Sequence, residues 1–466
     1  MQKILGDKNY PLKDRTASEG DVGVQTFLWI TKNRPASTNQ TVAGLLEQIL
    51  SPDNLSSAYQ QVKRNKGSHG IDGMQVSDLD DYLISHGESL VTQILSGNYV
   101  PNPVRRVEIP KGNQGKRQLG IPTVIDRVIQ QSISQTLMQI YEPCFSRHSY
   151  GFRPKRNAHQ ALKQSQAFIS LGYRYAVDLD LEKFFDTVNH SKLIEVLSRK
   201  VKDGRVVSLV HKYLNAGIYV GGDYESSELG VPQGGPLSPL LGNIMLDELD
   251  KELEIRGHKF VRYADDVVIF CKSKRSSERV MKSITKFIEE KLYLKVNKEK
   301  SQVAPFHKVK FLGYSFYRNP KREVRLRIHP KSVMKMKAKI KLLTSRSNGW
   351  GIARRKESLR QYIIGWINYY KLSDMKQLLL RIDEWYRRRL RMIIWKQWKQ
   401  IVTKARNLTK LGVKRPKAWE WANTRKSYWH IANSFILKTT ITTNLLREAG
   451  YLFLSDYYQK VRVKTY

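Results

Sequence analysis

Apolar positions change their period along the chain, and the changes mark its elements. Helical spacing runs from about Val42 to Lys63 and returns over 123–141, where Val124, Val128, Ile129, Ile133 and Leu137 share a face. Between them, Val104-Arg105-Arg106-Val107-Glu108-Ile109-Pro110 alternates like a strand. A turn rich in Gly, Asn and Gln (112–115) follows, and Lys116 to Leu119 returns as the second arm of a hairpin. The first ~40 residues are polar, include Pro35-Ala36-Ser37-Thr38-Asn39, and predict a loose arm.

The middle of the chain alternates strands and helices. Tyr175 to Asp180 predicts a strand running into a polar end, and His258–Tyr263 and Val267–Phe270 predict two strands around Ala264-Asp265-Asp266. A turn segment, Gly230 to Pro239, precedes a helical run from Leu240 to Leu253. This pattern is α+β with an antiparallel component. From about residue 330 the texture turns helical and basic: Val333, Met336, Ile340 and Leu343 mark one face, and Lys335, Lys337, Lys339 and Lys341 populate the others. No internal repeat of useful length interrupts this plan.

Charge narrows the function classes. The 466 residues carry 81 Lys plus Arg against 42 Asp plus Glu, a formal balance of +39. Such an excess opposes compaction unless a polyanion neutralises it, so nucleic acid is the leading partner. Residues 321–410 hold 26 of the basic residues and 5 acids, a net +21 that marks a separate binding region. A membrane partner is disfavoured, because no apolar run approaches the ~20 residues of a spanning helix. The polar start, Met-Gln-Lys-Ile-Leu-Gly-Asp-Lys, predicts no signal peptide. Two cysteines, Cys144 and Cys271, suit a reducing, cytoplasmic setting and exclude a disulfide framework or a Cys-x-x-Cys zinc site. Neither a phosphate-binding Walker loop nor a Gly-rich dinucleotide turn is present, which disfavours ATP-driven motors and dehydrogenases.

Two strand-end carboxylate groups are candidates for chemistry: Asp178/Asp180 and Asp265/Asp266. Adjacent strand residues point to opposite faces, so a tight turn is needed to present both Asp265 and Asp266. A lone Asp-Asp is ordinarily a solvated turn. Here Tyr263-Ala264 and an apolar strand on each side frame it, and a second carboxylate-bearing strand lies about 85 residues upstream. Hard cations such as Mg²⁺ take oxygen ligands, often one or two carboxylates plus substrate phosphates. Two such ions can activate an attacking hydroxyl and stabilise leaving pyrophosphate. On local grounds either Asp178 or Asp180, two apart on one strand face, can serve.

Several boxes, in order, give the chain a family resemblance. Tyr263-Ala264-Asp265-Asp266 resembles the catalytic box of reverse transcriptases. Asp180-Leu181-Glu182-Lys183-Phe184-Phe185-Asp186 resembles the preceding carboxylate box, and Val231 to Pro239 the intervening Pro-Gln-Gly box. Gln118-Leu119-Gly120-Ile121-Pro122 and Ser149-Tyr150-Gly151-Phe152-Arg153-Pro154 resemble finger motifs of group II intron enzymes. Phe311-Leu312-Gly313-Tyr314 resembles the primer-grip box, and Tyr362 to Tyr370 the maturase, thumb or X, domain. The likeness spans roughly residues 55–460 and is to bacterial group II intron reverse transcriptase/maturases, in the form lacking a C-terminal HNH endonuclease: nothing after residue 430 supplies the family's histidine and paired-cysteine ligands.

The resemblance implies a right-hand polymerase: an arm over 1–54, fingers and palm over 55–325, a helical thumb over 326–405, and a basic nucleic-acid-binding region over 406–466. It implies RNA-directed DNA synthesis with Mg²⁺, Mn²⁺ being a substitute, held by Asp180, Asp265, Asp266 and the Leu181 carbonyl. The family pattern selects Asp180 over Asp178. Phe185 falls where these enzymes place a steric gate against a ribose 2′-hydroxyl. Lys111 and Arg117 flank the hairpin turn, where cations offset triphosphate charge. Gln233 is placed to touch nucleotide or template, and Lys300 to protonate pyrophosphate. Arg387, Arg388, Arg389 and Arg391 are assigned to phosphates, and Trp395 and Trp398, three apart on one helix, mainly to packing. The implied partners are structured intron RNA, a primed RNA template, dNTPs and target DNA, in a cytoplasmic, nucleoid-associated setting; oligomeric state is not set. The competing roles are a domesticated polymerase in DNA repair or phage defence and a splicing-only RNA-binding protein.

Overall fold

In the computed structural model, which describes residues 44–110 and 115–463, the helical period near Val42 gives α1 (Leu45–Ile49) and α2 (Pro52–Asn65). Pro52 sits at the start of α2, where its missing N–H costs nothing. The reading of the first ~40 residues and the candidate Lys111 lie outside the described residues. After α3 (Leu79–Leu95), the alternating segment forms β1 (Val104–Pro110) and pairs antiparallel with β2 (Lys116–Ile121), Ile109 facing Arg117. Helix α4 (Val124–Tyr141) follows, its N-terminus capped by the Thr123 side chain, which accepts from the Asp126 N–H. All five apolar positions expected on its buried face are buried.

The described residues pack as two compact units, each with its own apolar core. The first runs to Ala161 and resumes over Val177–Cys271 and Arg275–Val303. Beyond α5 (Ala158–Ser170) come β3 (Tyr175–Leu179), α6 (Phe184–Thr187), α7 (His190–Ser198), α8 (Gly204–Leu214), β4 (Ile218–Val220) and β5 (Asp223–Glu225). Helix α9 (Ser238–Ile255) then leads into β6 (Lys259–Tyr263) and β7 (Asp266–Cys271), and α10 (Lys274–Lys291) into β8 (Gln302–Pro305). One sheet has the order β2-β1-β4-β5, with β1 and β4 parallel. The other has the order β6-β7-β3-β8, and its β6–β7 pair is antiparallel with Tyr263 opposite Asp266. Leu240, Leu241, Ile244, Met245, Leu246, Leu249 and Leu253 are all buried, so α9 is a core helix enclosed on nearly every side.

The second unit holds Leu162–Ala176, Lys272–Lys274 and the residues from Ala304 on. Besides most of α5 it holds the hairpin β9 (Tyr314–Arg318) and β10 (Val324–Ile328), and α11 (Pro330–Leu343), α12 (Ile352–Tyr370) and α13 (Lys376–Gln397) carry its main core. As the spacing requires, Met336, Ile340 and Leu343 face inward while Lys335, Lys337, Lys339 and Lys341 are exposed. Trp395 is buried and packs edge-on against Trp398, so both tryptophans serve packing. Six shorter helices follow: α14 (Ile401–Lys410), α15 (Arg415–Ala422), α16 (Tyr428–Ile431), α17 (Phe435–Thr440), α18 (Thr443–Glu448) and α19 (Leu454–Val463). Buried Asp383 of α13 accepts the N–H groups of Leu454 and Ser455 at 3.0 and 2.8 Å, satisfying the N-terminus of α19. No described helix is long and apolar enough to cross a membrane.

Candidate active site

The Asp-Asp pair occupies the turn its sequence requires. Ala264 adopts a left-handed backbone, φ 58°, which reverses the chain between β6 and β7. Asp265 is half-buried in that turn, and Asp266 is exposed as the first residue of β7. Strand β3 lies beside β7, and Asp180 is the next residue after β3. Carboxylates some 85 residues apart in sequence therefore issue from neighbouring strands. Helix α9 links the two segments: a Cβ on Gly242 would stand 3.1 and 3.2 Å from the rings of Phe184 and Phe185, while adjacent Asn243 bonds the Gly151 carbonyl and the Arg262 guanidinium.

Asp178 and Asp180 differ in their surroundings. The Asp178 carboxylate lies 3.4 Å from Gln302 Nε2. The Asp180 backbone is fixed on both sides: its N–H donates to Ser301 Oγ at 3.0 Å, and its carbonyl accepts from the Asn297 N–H at 2.8 Å. Asp180 Oδ2 is buried and accepts no hydrogen bond; its charge is met by Lys300 Nζ, 3.3 Å away. A carboxylate oxygen is a hard ligand of the kind Mg²⁺ takes, so Asp180 can serve a metal ion in place of or beside the Lys300 ammonium. Leu181 is buried and its backbone bridges to Val296. Among the described residues no three His, Cys, Asp or Glu side chains already converge as a metal cluster.

Next to α6 lies a cleft of about 160 Å³, lined by Arg106, Gln118, Lys183, Phe185, Asp186 and Gln233 among others. It is smaller than the roughly 300–1,000 Å³ of typical ligand pockets. Phe185 half-buries against this cleft, while neighbouring Phe184 goes into the core. Gln233 is held from two directions: Arg117 Nε donates to its Oε1 at 2.9 Å, and its Nε2 donates to Asp186 Oδ1 at 3.2 Å. Its own carbonyl accepts the Gly120 N–H at 2.9 Å, which hooks the Pro-Gln-Gly turn onto β2. Gly234 follows at φ 138°, and a Cβ there would lie 2.5 Å from the Gly120 carbonyl oxygen. Only glycine meets both demands. Arg106, Lys183 and Asp186 were not singled out from the sequence. Lys183 and Asp186 stood within the carboxylate box, but nothing in the alternation of β1 separated Arg106 from Arg105.

Expected to meet phosphates, three of the four clustered arginines instead satisfy protein carbonyls. Arg391 is buried and donates to the Ile441 carbonyl at 2.9 Å. Arg389 donates to the Thr344 carbonyl and hydroxyl at 2.8 and 3.0 Å. Arg388 bonds the Trp429 carbonyl at 2.9 Å, and its guanidinium lies 3.8 Å from that ring's centre. Arg387 is half-buried beside Phe453. The cause is helical geometry: four arginines within five residues cannot share one face, and this turn and a half of α13 points them into neighbouring helices. By contrast, Lys335, Lys337, Lys339 and Lys341 of α11 are exposed, as are Arg354 and Arg360 of α12 and Lys376 and Arg381 of α13.

Comparison with known proteins gives the same outline. A family model described as reverse transcriptase (RNA-dependent DNA polymerase) matches residues 109–316, and one for the group II intron maturase-specific domain matches 333–412. The group II intron-encoded protein LtrA of Lactococcus lactis is 29% identical over 400 residues, covering 72% of this chain and 65% of that one. Protein YkfC of Escherichia coli is 32% identical over 325 residues, covering 61% of this chain and 85% of that one. Nuclear intron maturase 4, mitochondrial, of Arabidopsis thaliana is 28% identical over 218 residues, or 46% of this chain and 26% of that one. The chain thus spans 65% of the length of the intron-encoded relative that it matches over 400 residues.

Proposed function

Because this chain belongs to the reverse transcriptases that carry a group II intron maturase-specific domain, we propose that it is an RNA-directed DNA polymerase and intron maturase. It extends a primer on an RNA template, and it binds its own structured intron RNA to assist splicing and retrohoming into target DNA. The observation that carries the polymerase reading is the pairing of strand ends: Asp180 after β3 and Asp265-Asp266 before and within β7, the neighbouring strand.

Asp180, Asp265, Asp266 and the Leu181 carbonyl would hold two Mg²⁺ ions, or Mn²⁺ in their place, whose charge activates the primer 3′-hydroxyl and stabilises leaving pyrophosphate. Lys300, already against Asp180, is placed to give a proton to that leaving group. Arg117 offsets triphosphate charge from β2, and the family pattern gives Lys111 the same role. Phe185 fills the space beside the sugar and disfavours a 2′-hydroxyl, and Gln233 orients the incoming nucleotide from the turn hooked to β2. Intron RNA meets the +21 region through its exposed basic residues, the lysines of α11 among them. Affinity then falls steeply with salt, because each phosphate neutralised releases counterions. Primer extension on RNA with dNTPs and Mg²⁺, compared between wild type and the Asp265→Ala/Asp266→Ala variant, tests the reading.

A further inference from the structure

The turn that carries Asp265 is held by groups that touch no substrate. Arg262, two residues before Ala264 on β6, is fully buried, a rare place for a guanidinium. Its Nε and Nη2 fork onto the equally buried Asp250 of α9 at 2.8 and 2.5 Å. That pairing alone settles the charge. The remaining nitrogen, Nη1, donates to Asn243 Oδ1 at 2.9 Å and to the Ala264 carbonyl at 3.0 Å. Asn243 Nδ2 passes the contact on to the Gly151 carbonyl at 2.9 Å. Gly151 in turn abuts the turn: a Cβ on it would stand 2.3 Å from the Ala264 nitrogen. The neighbouring backbone is stitched to β6, Tyr150 N–H donating to the Arg262 carbonyl and Arg262 N–H to the His148 carbonyl, each at 2.9 Å. Ala264 is therefore bonded at its carbonyl by Arg262 and has the Gly151 backbone packed close against its amide, in a left-handed conformation that non-glycine residues avoid.

Such a backbone persists where its surroundings over-determine it. A buried ion pair is not needed for stability as such, since well-packed apolar residues of similar volume commonly serve as well or better. Resting on the polymerase reading above, we propose that Arg262, Asp250, Asn243 and Gly151 form a positioning network that fixes the Ala264–Asp265 turn and so sets where the Asp265 and Asp266 carboxylates stand. None of the four is a catalytic residue.

The test replaces the pair by an apolar one, Arg262→Met/Asp250→Leu, in the full chain. The expected result is a melting temperature at or above that of wild type and unchanged binding of primed RNA template. Amides of 262–267 should exchange hydrogen faster, and single-turnover extension should slow roughly a hundredfold, the scale of an ångström-level misplacement. Gly151→Ala, which presses on Ala264 without touching the ion pair, should give the same exchange and rate signature, and it carries the test if the double variant does not fold. Wild-type extension and wild-type exchange at 262–267 in a folded variant overturn the proposal. If wild type itself extends no primer, the polymerase reading fails, and exchange at the turn still decides whether the network holds it.

Discussion

Lys300 Nζ lies 3.3 Å from Asp180 Oδ2, a buried carboxylate oxygen that accepts no hydrogen bond. The lysine is largely exposed on its other sides, so its flexible stem can swing the ammonium from the carboxylate toward a leaving pyrophosphate. Lys300→Gln should lower the single-turnover rate by roughly 10²–10⁴-fold, the usual contribution of a positioned acid. Primer–template affinity, measured by fluorescence anisotropy, should not change. An unaltered rate removes Lys300 from the chemistry.

Phe185 lines the cleft beside Asp186 and Gln233. Replacing it by Ala opens the space a ribose 2′-hydroxyl would need. Discrimination between dNTP and rNTP, taken as the ratio of kcat/KM values, should fall by roughly 10- to 100-fold. A variant that still rejects ribonucleotides assigns Phe185 to packing.

Gly234→Ala meets two obstacles, its left-handed φ and the Gly120 carbonyl oxygen at 2.5 Å from the new Cβ. The turn must shift, and Gln233 must leave Arg117 or Asp186. We expect KM for dNTP to rise several-fold, with a fall in melting temperature from the strained backbone. Steady-state kinetics at fixed template decide this; an unchanged KM separates Gln233 from nucleotide binding.

The two kinds of basic residue in the second unit should respond differently. Arg391→Ala leaves the Ile441 carbonyl without its donor and opens a buried space, so it should destabilise by about 1–3 kcal/mol. Converting Lys335, Lys337, Lys339 and Lys341 to Ala should leave melting nearly unchanged. It should flatten the slope of log affinity for intron RNA against log salt by up to about 3, at ~0.7–0.9 per lost phosphate contact. Equal salt slopes in that variant and wild type would take α11 out of the RNA interface.

Much of the first unit was legible because local pattern and fold agree. The alternation at 104–110 with its Gly-rich turn could only fold back, and the apolar runs around Ala264-Asp265-Asp266 could present both carboxylates only through a turn. The clamp on that turn was not legible. Arg262 finds Asp250 and Asn243 on a helix 12 and 19 residues upstream, and Gly151 more than a hundred residues away in sequence, through packing that no period encodes. The arginine cluster misled for the converse reason. Its composition resembles a phosphate-binding surface, while the twist of α13 turns Arg388, Arg389 and Arg391 onto protein carbonyls.

The central claim is that Asp180, Asp265 and Asp266 make one Mg²⁺-dependent polymerising centre. The purified 466-residue chain with a primed RNA template, dNTPs and Mg²⁺ measures it directly. Wild type should extend the primer and stop when Mg²⁺ is chelated, while Asp265→Ala/Asp266→Ala should bind the same template and extend nothing above background. Equal extension by wild type and that variant would contradict the assignment.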